Sequence, residues 1–125
     1  MSNWPLILTI DRNQKNLELL GQFLSKEGYT TLAVSTLEHF EQILNQTETF
    51  GLALVDISGF DRGIWILCER LTDQGVPLLV ISSQQMPRIQ QESLAHGAHL
   101  VLFKPIVVKQ LVSVIQTMMR DISSE

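Results

Sequence analysis

Four residues that could do chemistry follow directly on short apolar runs or close them. Asp11 follows Leu6-Ile-Leu-Thr-Ile10, and Asp56 follows Leu52-Ala-Leu-Val55. Ser82 ends Pro77-Leu-Leu-Val-Ile-Ser82, and Lys104 follows His99-Leu-Val-Leu-Phe103. Two carboxylates, a hydroxyl and an ammonium are the groups that phosphoryl chemistry needs. One carboxylate can serve as nucleophile. A second can hold a divalent cation that neutralises phosphoryl oxygens. The ammonium can pair with one such oxygen as a point charge, and the hydroxyl can donate to another. These residues are far apart in the chain, so they make a site only if the ends of the four runs meet.

The elements between them supply that condition. Each apolar run is short, dense in β-formers and lacks alternation, as in strands buried on both faces. The first is expected from Pro5 to Ile10. Asn13–Glu27 carries Leu17, Leu20 and Leu24 at helical spacing and stops at Gly28. Tyr29–Val34 reads as a second strand. Ser35-Thr-Leu-Glu38 has the form of a capping box opening a second helix. A third strand ends on Asp56, and a third helix runs from about Ile64 to Gln74. A fourth helix starts at Pro87, a usual first helical position, and ends at Gly97. A last helix spans about Val107 to Arg120, with Ile122–Glu125 as a fraying tail. Five alternating strand–helix units predict a parallel sheet with helices on both faces. Such a sheet works at the carboxyl ends of its strands, near the switch in strand order, which is where the four residues fall.

Composition sets limits. One domain is expected over residues 1–125, with a core of about 5–121. The chain is 45% apolar and 18% charged, which excludes a disordered chain. Nine Lys and Arg against thirteen Asp and Glu give a net charge of −4, and the basic residues are scattered. Direct nucleic-acid binding is not expected. Cys68 stands alone, so no internal disulfide or cysteine-based zinc site forms, and a reducing compartment is implied. No secretory leader and no membrane-spanning run are read, so a cytoplasmic location is expected.

The same residues carry a resemblance. Ile7-Leu-Thr-Ile-Asp11, Leu52-Ala-Leu-Val-Asp56, Leu79-Val-Ile-Ser82-Ser83 and Gly97-Ala98 leading to Phe103-Lys104-Pro105 occur in order from Leu6 to Met119. The chain resembles a response-regulator receiver domain of bacterial two-component systems. The resemblance implies a flavodoxin-like three-layer (βα)5 sandwich with parallel strand order 2-1-3-4-5. It implies that Asp56 accepts a phosphoryl group from a histidine kinase or phosphotransfer protein, with no further enzyme activity beyond its own phosphorylation and dephosphorylation. Ser82 and Lys104 would bind that group, and small Ser83 would leave the site open. Asp11, Asp56 and the Ser58 backbone carbonyl would hold Mg²⁺. An output domain, a partner protein or a second copy would dock on the face of the fourth helix, fifth strand and last helix, at Val101, Val108, Val112 and Met119.

Three positions depart from the family pattern. Arg12 stands where a second acid is usual, so Mg²⁺ binding is expected to be weak or absent. Arg12 is expected to fork onto Asp11 or Asp56 in place of the ion. The loop Asp56-Ile-Ser-Gly-Phe-Asp61-Arg-Gly63 is one residue short and lacks the usual Met-Pro. Val101 replaces the aromatic switch residue. These departures leave open a degenerate receiver that binds partners without phosphorylation. A haloacid-dehalogenase-like phosphatase is less well matched, because it needs an Asp where Ser58 stands. No Walker loop, dinucleotide glycine fingerprint or nucleophile elbow is present. Cys68 and Trp65 are expected as packing residues, His39, His96 and His99 as surface or helix-end residues, and Asp61 as a turn or cap residue.

Overall fold

The computed structural model describes residues 6–46 and 49–123, with the side chains of 121–123 excepted. In chain order the elements are β1 (Leu6–Ile10), α1 (Gln14–Lys26), β2 (Thr31–Val34), α2 (Leu37–Leu44) and β3 (Phe50–Asp56). They continue with α3 (Gly63–Asp73), β4 (Leu78–Ser82), α4 (Pro87–Ala95), β5 (Leu100–Phe103) and α5 (Val108–Ser123). The five strands form one parallel sheet in the order β2-β1-β3-β4-β5. This is the flavodoxin-like architecture expected, with the strand order switching between β1 and β3. Pro5 and the tail residues 124 and 125 lie outside the described residues.

The apolar runs of the central strands explain the three layers. Successive side chains of a strand point to opposite faces, so a run apolar at every position must be covered on both. In β3, Ala53 and Val55 join one buried cluster with Phe40 and Ile43 of α2 and Ile64, Cys68 and Leu71 of α3. Leu52 and Leu54 join another with Leu24 of α1 and Leu111, Ile115 and Met119 of α5. The sheet therefore lies between α2, α3 and α4 on one side and α1 and α5 on the other. The first cluster is the larger.

Several boundaries differ from the sequence reading: β2 starts at Thr31 rather than Tyr29, and two helix ends are placed differently. The cap of α2 is Thr36, whose hydroxyl accepts from the His39 N–H, so Ser35 is not the first residue of a capping box. Either hydroxyl could cap, and the one whose acceptor reaches the third helical N–H takes the role. At the other end, α5 continues past Arg120 to Ser123.

The expected apolar docking face changes more. Val112 and Met119 are buried, at 8% and 1% exposure, and do not line a free surface. Only two helices cover this side of the sheet, so α5 must bury a wider arc than one stripe. Val101 is half-buried against the larger cluster and pairs with Val80 of β4. Of the four residues expected on that face, Val108 is exposed.

Candidate functional site

The carboxyl ends of β1, β3, β4 and β5 bring Asp11, Asp56, Ser82 and Lys104 to one edge of the sheet. Asp56 is the last residue of β3 and is only 4% exposed. Its Oδ2 lies 2.5 Å from Lys104 Nζ, and its Oδ1 accepts the Ser58 N–H at 2.9 Å. Burying a carboxylate is costly unless it is paired, and Lys104 supplies the pairing across two strands.

Asp11 and Asp56 face one cleft. Its volume is about 400 Å³, and Lys104 completes its polar floor. Leu19, Leu20 and Phe23 of α1 wall it on one side, and Pro105, Ile106 and Val108 on the other. Asp11 Oδ1 accepts the Asn13 N–H at 2.8 Å, and Asn16 Nδ2 donates to Asp11 Oδ2 at 3.3 Å. Partial burial nevertheless raises the Asp11 pKa above 3.8, and the negative charge of Asp56 raises it further. The Asn13 and Asn16 hydrogen bonds and Lys104 pull the other way without cancelling the rise.

Ser82 is buried beside this pair. Its hydroxyl is engaged within its own loop, donating to the Gln84 carbonyl at 3.3 Å and accepting the Gln84 N–H at 3.0 Å. Ser83 is small, as expected, yet it is tied to the facing loop. Ser58 Oγ donates to Ser83 Oγ at 3.1 Å and accepts the Ser83 N–H at 3.2 Å.

Arg12 departs from expectation. Its Nη1 donates to the Gly59 carbonyl at 2.6 Å, and among the described residues it makes no ion pair with Asp11 or Asp56. Gly59 has φ +82, and a Cβ there would lie 3.2 Å from Arg12 Cδ. A left-handed glycine thus turns a carbonyl toward the guanidinium and clears its stem. Arg12 ties down the short loop after Asp56 through a backbone oxygen and not through either carboxylate.

The donor set suits a magnesium ion. Mg²⁺ takes one or two carboxylates and fills the remaining positions with waters and phosphate oxygens. Asp11 and Asp56 offer two carboxylates on one cleft, and a cation between them relieves the repulsion that adds to burial in raising the Asp11 pKa. Among the described residues no third His, Cys, Asp or Glu joins them.

Asn16, Gly59 and Gln84 were not singled out by the sequence reading. Asn16 lies in the first turn of α1, five residues after Asp11, and helical spacing could have flagged it. The partnerships of Gly59 and Gln84 depend on loop conformation and leave no pattern in the chain. Other residues hold their expected places. Trp65 and Cys68 are buried, His39 is exposed, and Asp61 Oδ1 accepts the Gly63 N–H at 2.8 Å. His96 caps α4, bonds Glu69 at 2.6 Å and stacks on Trp65, and His99 Nδ1 accepts the Leu78 N–H.

Known proteins share this sequence pattern and fold. The model of the response regulator receiver domain family matches residues 7–116. The transcriptional regulatory protein GltR of Pseudomonas aeruginosa is 31% identical, covering 95% of this chain and 50% of its own. The chain thus spans about half the length of the curated relatives it matches. A CheY-like receiver domain protein from Methanospirillum hungatei superposes with a TM-score of 0.86 at 23% identity, covering 98% of both chains. A Burkholderia pseudomallei response regulator, solved with a phosphorylated aspartic acid, a calcium ion and citrate, superposes at 0.79 and 23% identity. It covers 96% of this chain and 71% of its own. Receiver domains usually hold Mg²⁺ in an acidic pocket, and apart from their own phosphorylation they are generally not enzymes. With the family model spanning most of its length and the strand order in agreement, the chain belongs to the response-regulator receiver domains of two-component systems.

Proposed function

We propose that Asp56 accepts a phosphoryl group from a histidine kinase or phosphotransfer protein. The observation that carries this reading is the Lys104–Asp56 pair. A buried carboxylate at a strand end is paired with an ammonium that shares its cleft. An Asp56 carboxylate oxygen attacks the phosphorus of a phosphohistidine. The P–N bond breaks, its electron pair returns to the imidazole nitrogen, which takes a proton from solvent, and an aspartyl phosphate remains. Lys104 balances the charge brought to Asp56, and Ser82 supplies a hydroxyl once it leaves Gln84. Asp11, Asp56 and the Ser58 carbonyl would hold Mg²⁺, which would neutralise phosphoryl oxygens when bound. With Arg12 in place of a further acid, that binding is weak. The intact set of Asp56, Ser82 and Lys104 supports this reading over a receiver that works without phosphorylation.

The output follows from the same reading. Phosphorylation changes the face formed by α4, β5 and α5, where Leu94, Leu100 and Val108 remain exposed. That face docks an output domain, a partner protein or a second copy of the chain. Incubation with a small phosphodonor and Mg²⁺ should add about 80 Da, one phosphoryl group. The gain should vanish in Asp56→Asn. No gain in the natural chain, or a gain that survives in Asp56→Asn, would sink the assignment.

A further inference from the structure

The two loops flanking Asp56 are joined by a bond that uses a backbone donor. In the sheet, Asp56 of β3 pairs with Ile81 of β4, so Ser82 and Ser83 follow at the same edge. The Ser58 N–H points back to Asp56, while the Ser58 hydroxyl reaches across to Ser83, accepting its N–H and donating to its Oγ. Backbone N–H groups at such an edge are natural donors to an anion. Here the Ser83 donor is filled from within the chain by a neutral oxygen.

We propose that the Ser58 hydroxyl is a built-in plug. It occupies the Ser83 N–H that a tetrahedral anion on Asp56 would otherwise take, and so sets how tightly the site holds that group. Ser58 is a positioning residue in this role. The inference rests on the reading that Asp56 carries the phosphoryl group. A charged oxygen makes the stronger hydrogen bond to an N–H, so the plug yields to the anion and weakens its binding without blocking it. Once displaced, the hydroxyl has water to turn to. Ser58, Ser82, Ser83 and Gln84 line a second, polar pocket of about 310 Å³ that shares no lining residue with the cleft over Asp56.

The geometry makes the two serines unequal. Ser58→Ala removes both bonds and frees the Ser83 N–H, while the Ser58 backbone still serves Asp56. Ser83→Ala removes only the bond between hydroxyls and leaves the plug seated. The probe is fluoroberyllate with Mg²⁺, titrated into the 125-residue chain. Ser58→Ala should bind it roughly fivefold tighter, the equivalent of one net hydrogen bond. Ser83→Ala should stay near the natural value, and Ser58→Thr, which keeps a hydroxyl, should restore it. In the unliganded protein the Ser83 amide proton should shift upfield in Ser58→Ala and stay in place in Ser83→Ala. Unchanged or weaker binding by Ser58→Ala, or equal effects of the two alanines, would overturn the plug. If neither the natural chain nor any variant binds fluoroberyllate or gains a phosphoryl group, the reading of Asp56 fails first and the plug with it.

Discussion

Lys104 and Asp56 depend on each other for stability as well as chemistry. The Asp56 carboxylate is nearly out of water, so removing the ammonium strands a buried charge. Lys104→Met should therefore destabilise the fold by about 2–3 kcal/mol in urea unfolding, near the lower end for buried pairs because the lysine is partly exposed. Adding Asp56→Asn to it should recover much of that loss. Asp11 acts with the opposite sign. Its pKa is raised in the folded state, chiefly by burial, so folding favours its protonated form. Its contribution is greatest below its unfolded value of 3.8 and is lost as pH rises through the higher folded value. Asp11→Asn should melt above the natural protein at pH 7, and the gap should close as pH falls below 3.8. The four strand-end groups were legible in the sequence because each sits where an apolar run stops. The path of Arg12 was not, since it depends on a left-handed turn 47 residues away.

At the scale of elements, the turn after α4 is built against α3. Gly97 has φ +103, and a Cβ on it would stand 2.0 Å from Thr72 Oγ1. Gly97→Ala should cost about 3 kcal/mol or more, because it adds backbone strain to a clash in a packed contact. Gly75→Ala, at φ +80 with open space around it, should cost about 1 kcal/mol. Paired denaturation curves would check both. Along α5, Val112→Glu should unfold the domain or nearly so, since it buries an unpaired charge. Val108→Glu should change stability by only about 0.5 kcal/mol and weaken partner docking, readable as a shift in oligomeric state or in capture of an output domain. Helix positions were legible from apolar spacing. The arc that α5 buries was not, because it depends on how many helices share its side of the sheet.

At the scale of the whole molecule, alternating strands and helices made the layered parallel sheet legible, and the family pattern added the strand order. How burial divides between the two sides of the sheet requires the assembled structure. Cys68 lies on the larger side, fully buried, with its thiol pKa pushed up to about 12, chiefly by burial. A thiol reagent at pH 8 should leave it untouched in the native protein and label it as urea unfolds the domain, in step with the loss of helix. The uneven division of the core has a kinetic consequence. The terminal helix α5 is held through the smaller cluster, so it can detach while the opposite side stays packed. Amide hydrogens of α5 should then exchange with deuterium ahead of those of α3 and of the central strand β3, with a free energy of opening below that of global unfolding.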